Sequence, residues 1–162
     1  MKKIILISIL TLIIDIITKQ LVINFMIENQ SISLIKDFFS LTYAKNTGVA
    51  FSFLEDKVPL IITITSIIII LILKYIKVTN PNKYEKICYG LIIGGAIGNL
   101  IDRIIYGYVI DFLDFNLFGY PFAIFNIADT AIFIGIITII ILSFTDSRNK
   151  NATNSKRTNK NR

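Results

Sequence analysis

Four apolar segments, each long enough to cross a lipid bilayer, constrain the fold of this chain more than any other feature. A spanning helix needs about 20 apolar residues at a rise of about 1.5 Å per residue. The segments cover roughly Ile4–Phe25, Val58–Ile76, Ile87–Tyr106 and Phe122–Phe144. Their isoleucine content would also suit strands, but strands rarely exceed about ten residues, and backbone groups in lipid must bond within their own segment. We therefore predict a mainly α membrane protein with four transmembrane helices.

The placement of lysine and arginine predicts the orientation of these helices. Basic residues precede the first segment, fill the link between the second and third, and follow the fourth, whereas the link after Arg103 has none. Such residues favour the cytoplasmic side, so we expect both termini there and the other two links on the outer face. The first segment begins as a signal peptide would, but it continues through Asp15 and Lys19 without a cleavage site, which favours a retained helix.

The chain divides into a single membrane domain, residues 1–145, and a basic cytoplasmic tail, residues 146–162, too polar to build a core and expected to be disordered. Much of the net charge of +6 lies in that tail. Because no aromatic residues alternate with these charges, anionic lipid is a better partner than nucleic acid. The chain has no histidine and one cysteine, Cys88, which excludes histidine-based triads and zinc sites as well as an intrachain disulfide. We expect no cofactor or metal.

Three of the predicted helices carry polar side chains three and four residues apart, a spacing that places them on one helix face. They are Asp15, Thr18 and Lys19 in the first, Asn99, Asp102 and Arg103 in the third, and Asn126, Asp129 and Thr130 in the fourth. A charged side chain within hydrocarbon costs about 2.5–3.5 kcal/mol on insertion scales, so such residues are functional candidates. These stripes, with Asp111 at the boundary, fall in the outer leaflet and are predicted to form one site.

The carboxylates differ in their neighbours. Asp15 and Asp102 each have a cation close by in sequence, Lys19 and Arg103, which suits an ion pair or a substrate clamp, whereas Asp111 and Asp129 have none. Two carboxylates within a few ångströms share one proton and can supply a general base and a general acid. The spacing alone leaves an aspartic protease, a structural cluster and an ion pathway open.

The link between the first two helices contains β-prone residues. The runs Phe38–Tyr43 and Val49–Leu54 flank the turn-forming residues Asn46-Thr47-Gly48. We predict a small extracytoplasmic antiparallel sheet over about residues 29–55, called the β-cradle below. Its aromatic residues suit the membrane surface and could cover a substrate above the carboxylates.

Five motifs occur in a fixed order along Ile4–Phe144. They are Asp15-x-x-Thr18-Lys19, Asn46-Thr47-Gly48-Val49-Ala50-Phe51-Ser52, Gly98-Asn99-Leu100-Ile101-Asp102-Arg103, Val109-Ile110-Asp111-Phe112 and Phe125-Asn126-Ile127-Ala128-Asp129. With four spans in the same orientation, they resemble the bacterial lipoprotein signal peptidases (signal peptidase II).

The resemblance implies an aspartic endopeptidase of the bacterial cytoplasmic membrane, acting near the outer face, with Asp111 and Asp129 as the catalytic pair. The implied substrate is a prolipoprotein whose lipobox cysteine carries a diacylglyceryl group, cleaved just before that cysteine. Other motif residues would shape the site or hold substrate, and Asp102 would have a structural role. These residues are Asp15, Lys19, Asn46, Gly48, Asn99, Asp102, Arg103, Asn126 and Ala128. A monomer is the simplest expectation.

Three other functions can be weighed against this one. A small transporter or proton pathway could use the same buried acids, although such proteins favour internal repeats or broken helices. A serine–lysine signal peptidase could pair Ser52 with Lys45 or Lys19. A non-enzymatic assembly factor would explain neither Asp111 nor Asp129.

Overall fold

The computed structural model of the protein describes residues 1–48, 54–117 and 119–160. Its helices are α1 (Lys2–Phe25), α2 (Val58–Thr79), α3 (Lys83–Tyr106) and α4 (Ile127–Lys160), and its strands are β1 (Ser31–Ile35), β2 (Phe39–Asn46), β3 (Val109–Leu117) and β4 (Tyr120–Pro121). Each helix contains a stretch long and apolar enough to cross a membrane. The predicted fold, mainly α with four membrane-length helices and a small sheet, is confirmed.

Helix α3 lies at the centre of the bundle, between α1 and α4, and its glycines allow both neighbours to approach closely. A Cβ atom at Gly94 would lie 2.6 Å from the carbonyl oxygen of Ser8, and one at Gly95 would lie 2.4 Å from that of Ala128. Small residues at such contacts let helix backbones pack directly together. The side chain of Ser8 adds a hydrogen bond of 3.0 Å to the carbonyl of Gly90.

Helix α2 packs against the bundle through its second half. Ile72, Leu73 and Ile76 contact a small core that also contains Ile4 and Ile93. The first half of α2 has few buried residues, Ile61 being the exception. The helix therefore joins the bundle at one end and borders a cavity at the other.

The strands form one antiparallel sheet in the order β1-β2-β3-β4. Strand β2 pairs with β1 on one side, Ser31 opposite Thr42, and with β3 on the other, Asn46 opposite Val109. The sheet lies at the end of the bundle where α1 and α3 finish and α4 begins, which we call the sheet end.

The predicted β-cradle is present, but the sheet also includes a strand from outside the link between the first two helices. All of the run Phe38–Tyr43 except Phe38 lies in β2. The neighbours of β2 are β1 and β3, and Leu54 lies in a turn. Residues 49–53 of the other predicted strand lie outside the described residues. The sheet is therefore not confined to the link between the first two helices, because β3 comes from the link between α3 and α4. Pairing between segments about 65 residues apart leaves no local signal in the sequence.

The fourth span begins later than predicted. Residues 122–124 belong to no helix or strand and Phe125 pairs with Leu113 of β3, so that α4 starts at Ile127 rather than at Phe122. Helix α4 also continues through residues 146–160, where composition predicts disorder. That segment contains neither glycine nor proline, the residues that most readily end a helix.

Candidate active site

Polar side chains from α1, α3 and α4 meet β2 and β3 at the sheet end of the bundle. Four of them are almost fully enclosed: Asp15 and Asn126 are 0% exposed, Lys19 is 1% and Asp111 is 2%. Asn99, Asp102 and Arg103 are also buried. The structure thus brings the three sequence stripes and Asp111 into one cluster.

Asn126 and Asp129 define the start of α4. The Asn126 Oδ1 atom accepts a hydrogen bond of 2.9 Å from the backbone N–H of Asp129, and Asp129 Oδ2 accepts one of 3.3 Å from the N–H of Asn126. This reciprocal arrangement is a capping box, which satisfies backbone donors that the first helical turn leaves free. Asn126 therefore precedes α4 as its N-cap and Asp129 lies in the first turn, whereas a span that began at Phe122 would place both residues in the helix interior.

Three asparagine amides bind the carboxylates of Asp111 and Asp129. Asn126 Nδ2 donates to Asp111 Oδ1 at 2.7 Å, and Asn46 Nδ2 donates to Asp111 Oδ2 at 2.8 Å. Asn99 Nδ2 donates to Asp129 Oδ1 at 2.7 Å. Asn126 Nδ2 also lies 3.1 Å from Asn99 Oδ1, so an unbroken chain of amides connects the two carboxylates.

The orientation of each amide follows from its second partner. The N–H of Gly48 donates to Asn46 Oδ1, that of Asp129 donates to Asn126 Oδ1, and the ammonium of Lys19 donates to Asn99 Oδ1. Each of these partners can only donate, so each asparagine must turn its NH₂ group toward a carboxylate. The carboxylates are consequently held by donors whose orientation is fixed.

Asp111 is held by the sheet and lies opposite Ala44 of β2. Burial, followed by the negative charge of Asp129, raises the pKa of Asp111 to about 7, although the hydrogen bonds from Asn46 and Asn126 act in the opposite direction. A carboxyl group in such surroundings retains a proton at a pH where an exposed aspartate is ionised.

Lys19 binds two further carboxylates. Its Nζ atom lies 2.7 Å from Asp15 Oδ2 and 2.9 Å from Asp102 Oδ2. The ion pair suggested by the Asp15 and Lys19 spacing is therefore present. Among the described side chains, the cation bonded to Asp102 is Lys19. The suggested pairing of Asp102 with Arg103 is therefore wrong, because adjacent residues on a helix point in different directions.

Arg103 connects α3 to the end of β2. Its Nη2 atom donates to the carbonyl of Gly48, and its Nη1 atom lies 3.3 Å from the carbonyl of Asn99. Its Nε atom is buried and has no hydrogen-bond partner among the described residues. A guanidinium N–H left in this state is available to a carbonyl or carboxylate of a bound molecule.

A cavity of about 700 Å³ opens beside these groups, between the first half of α2 and the start of α4. Its polar wall contains Asn46, Asn99, Arg103 and Asp129. Its apolar wall includes Ile61, Ile64 and Ile68 of α2 with Phe122, Ile132 and Phe133. This size and lining suit an apolar ligand with a few polar groups at one end.

Some predicted residues lie differently and others were missed. The Thr18 hydroxyl bonds to carbonyls of its own helix, and the Thr130 hydroxyl bonds to the carbonyl of Asn126. Gly98 was missed as a site residue: a Cβ atom there would lie 2.4 Å from Asp15 Oδ2, so the glycine leaves space for that carboxylate. The motif itself contains this glycine, but a sequence does not tell which side chain occupies the space it leaves.

The lysines of the serine–lysine alternative are already engaged. Lys45 forms an ion pair of 2.6 Å with Glu28 at the surface, and Lys19 is bonded to two carboxylates within the bundle. Ser52 lies outside the described residues.

Comparison with known proteins gives matches over most of the chain. A family model described as signal peptidase (SPase) II matches residues 7–145. A lipoprotein signal peptidase from Staphylococcus haemolyticus is 39% identical over 145 residues, which is 89% of this chain and 92% of the relative. One from Staphylococcus aureus is 41% identical over 147 residues, 90% of each chain.

Two solved structures have the same fold. Both are described as bacterial membrane enzyme structures obtained by the in meso method, at 2.3 and 1.9 Å resolution. The first has a TM-score of 0.85 and 38% identity, and covers 93% of this chain and 92% of its own. The second has a TM-score of 0.80 and 37% identity, and covers 90% and 95%. The fold is that of a membrane-embedded enzyme, and the chain belongs to the signal peptidase II family of peptidases.

Proposed function

We propose that this protein removes the signal peptide from prolipoproteins and that Asp111 and Asp129 are its catalytic pair. The observation that carries the proposal is the chain of oriented amides, which joins the buried carboxylate of Asp111 to the half-buried carboxylate of Asp129 beside a largely apolar cavity. The family and its relatives support a peptidase. They give no support to a transport role for the same acids.

The paired carboxylates suit the two proton transfers of peptide hydrolysis. Burial and the charge of Asp129 raise the pKa of Asp111 to about 7, so a substantial fraction of Asp111 keeps its proton at neutral pH. The ionised carboxylate takes a proton from a water molecule while the oxygen of that water attacks the scissile carbonyl carbon. The protonated carboxyl group stabilises the developing oxyanion. A proton then passes from the carboxyl pair to the departing amine as the C–N bond breaks.

The proposed substrate is a prolipoprotein whose lipobox cysteine carries a diacylglyceryl group, cut just before that cysteine. The sequence motifs and the cavity support this choice. Asp129 lies in the polar wall, and the apolar wall of the cavity is mainly isoleucine and phenylalanine. This lining suits an apolar signal peptide, while the acyl chains of the lipidated cysteine remain in lipid. The Arg103 Nε atom, which has no hydrogen-bond partner among the described residues, is positioned to donate to a carbonyl of the bound peptide.

The distribution of basic residues supports an orientation in which both termini are cytoplasmic and the sheet end faces outward in the bacterial cytoplasmic membrane. A lipid-modified cysteine lies at the membrane surface, so acids at the sheet end are at the required depth. All the side chains of the cluster come from one chain, and we propose that the protein acts as a monomer.

The test is cleavage of a prolipoprotein by the purified protein in lipid or detergent, read by mass spectrometry. We expect a new N-terminus at the diacylglyceryl-modified cysteine. A matched precursor with serine in place of that cysteine cannot carry the lipid and should be cut at least ~10²-fold more slowly, because binding energy from the remote lipid is lost. Equal cleavage of both precursors would contradict lipid recognition, and no cleavage by folded protein would contradict the peptidase proposal.

A further inference from the structure

The residues that immediately precede Asp111 and Asp129 are both bonded to carboxylates that Lys19 neutralises. The backbone N–H of Ala128 donates to Asp15 Oδ1 at 2.9 Å, and that of Ile110 donates to Asp102 Oδ2 at 3.2 Å. Asp15 and Asp102 are the two ion-pair partners of Lys19. We refer to Asp15, Lys19, Asn99 and Asp102 as the Lys19 network.

The connection through Asp15 fixes the start of α4. Ala128 is 0% exposed, and its N–H is one of the donors that the first turn of a helix leaves without a helical partner. Asp15 satisfies that donor from α1, across a sequence separation of 113 residues. The position of Asp129 along the bundle is therefore set by α1 as well as by its own helix.

The connection through Asp102 fixes the first residues of β3. Ile110 is 0% exposed, and its N–H is bonded to a side chain of α3. This bond sets how far β3, with Asp111 at its third position, lies from the bundle.

The third connection acts on the asparagine that binds Asp129. Lys19 Nζ donates to Asn99 Oδ1 at 2.9 Å, and an ammonium group has no acceptor capacity, so Asn99 must direct its NH₂ group toward Asp129 Oδ1. One ammonium group therefore acts on both carboxylates of the catalytic pair.

Stability alone does not explain this arrangement. Burying three charged groups has a larger desolvation cost than burying well-packed apolar side chains of similar volume. Replacement of buried ions by such apolar side chains is often neutral or stabilising for the folded protein. Lys19 is 1% exposed, and the three donors of its ammonium group are already directed to Asp15, Asp102 and Asn99.

We propose that Lys19 is a positioning residue that sets the separation and orientation of Asp111 and Asp129 through the backbone N–H before each of them. The inference rests on the proposed function, since it takes these two aspartates as the catalytic pair. It assigns to Lys19 an effect on turnover and not on substrate binding.

The first test is Lys19→Met, measured by turnover and by KM for the lipidated precursor. We expect kcat to fall roughly 10²-fold, because misplacement of reacting groups by about 1 Å has that effect, while KM changes by less than about threefold. Loss of the Lys19 charge also removes a cation that lowers the pKa of Asp111, so the alkaline limb of the pH profile should move to higher pH. The other charges facing Asp111, Asp129 of α4 and Arg103 of α3, remain in this variant.

Lys19→Met leaves Asp15 and Asp102 buried without a cation, which threatens folding. The variant Asp15→Asn/Lys19→Met/Asp102→Asn carries no such charges, and each new asparagine can still accept from its backbone N–H. We expect this variant to fold but to keep a kcat roughly 10²-fold below that of the wild type, because it lacks the ammonium group that joins the side chains at positions 15 and 102. Recovery of wild-type kcat would mean that Lys19 only compensates charge, and would overturn the proposal.

A second test uses matched glycine substitutions on α3. In Gly98→Ala the new Cβ atom would lie 2.4 Å from Asp15 Oδ2 and displace that carboxylate, whereas in Gly90→Ala it would lie 2.6 Å from Ile7 Cβ, away from the network. Both should lower the thermal unfolding temperature, but only Gly98→Ala should lower kcat. Equal kcat in the two variants would contradict the proposal.

The outcomes separate this inference from the proposed function. Turnover by Asp111→Asn or Asp129→Asn at the wild-type rate would reject the catalytic pair itself. Inactive aspartate variants together with wild-type kcat in the charge-free Lys19 variant would reject only the role of Lys19.

Discussion

At the scale of single residues, the site depends on how asparagine amides are oriented. Each of Asn46, Asn99 and Asn126 has its oxygen engaged by a donor, so that its NH₂ group must face a carboxylate. Hydrogen bonds to charged groups contribute about 1.5–3 kcal/mol each, enough to fix these side chains in one conformation. The proposed catalytic pair is thus held in place before a substrate arrives, which lowers the reorganisation needed during the reaction.

The pH dependence of the reaction follows from the protonation of Asp111. Its pKa is raised to about 7, so the protonated form dominates below that pH and is lost above it. Because the pair needs one proton, kcat/KM for a lipidated precursor should fall as the pH rises above about 7. The groups facing Asp111 are Asp129, Lys19 and Arg103. A profile that stays flat from pH 6 to about 9 would contradict this assignment.

The residues of the site could largely be predicted, but their bonds could not. Asp15 and Lys19 are visible in the sequence because polar side chains at helical spacing stand out in an apolar segment. The bond between Asp102 and Lys19 crosses from α3 to α1, so sequence neighbours gave the wrong partner. The role of Gly98 was missed for the same reason, since the carboxylate beside it belongs to another helix.

At the scale of elements, the start of α4 matters most, because Asn126 both caps the helix and binds Asp111. The two tasks can be separated by substitution. In Asn126→Ser the hydroxyl can still cap the helix, whereas Asn126→Ala has no cap and should be about 1 kcal/mol less stable than the serine variant. Thermal unfolding in detergent measures this difference.

Both variants lack the amide donor to Asp111, so both should lose at least about tenfold in turnover, whatever their stability. Wild-type turnover in Asn126→Ser would show that the cap matters and the amide bond does not. The Asn-x-x-Asp pattern at the start of α4 is visible in the sequence. It was assigned to a helix interior because the apolar run begins earlier, at Phe122, and those extra residues pair with β3 instead.

At the scale of the whole molecule, the helices could be predicted and the sheet only in part. Length and apolarity determine a spanning helix locally, so four segments were found with ends within a few residues, except at Phe122. The sheet joins two links that are far apart in sequence, and the partners of β2 depend on the bundle bringing those links together. The cavity likewise arises because the first half of α2 diverges from the bundle, which hydropathy does not encode.

The most direct test of the proposed catalytic pair is the turnover of Asp111→Asn and of Asp129→Asn, measured beside that of the wild-type protein. Each substitution keeps the shape of the side chain and removes its acid–base function, so cleavage of the lipidated precursor should fall at least about 10³-fold. Asp114→Asn is the matched control, since Asp114 lies in the same strand and is bonded to Thr42 at 2.6 Å, and it should remain active. Wild-type turnover in a folded Asp111 or Asp129 variant would contradict the account.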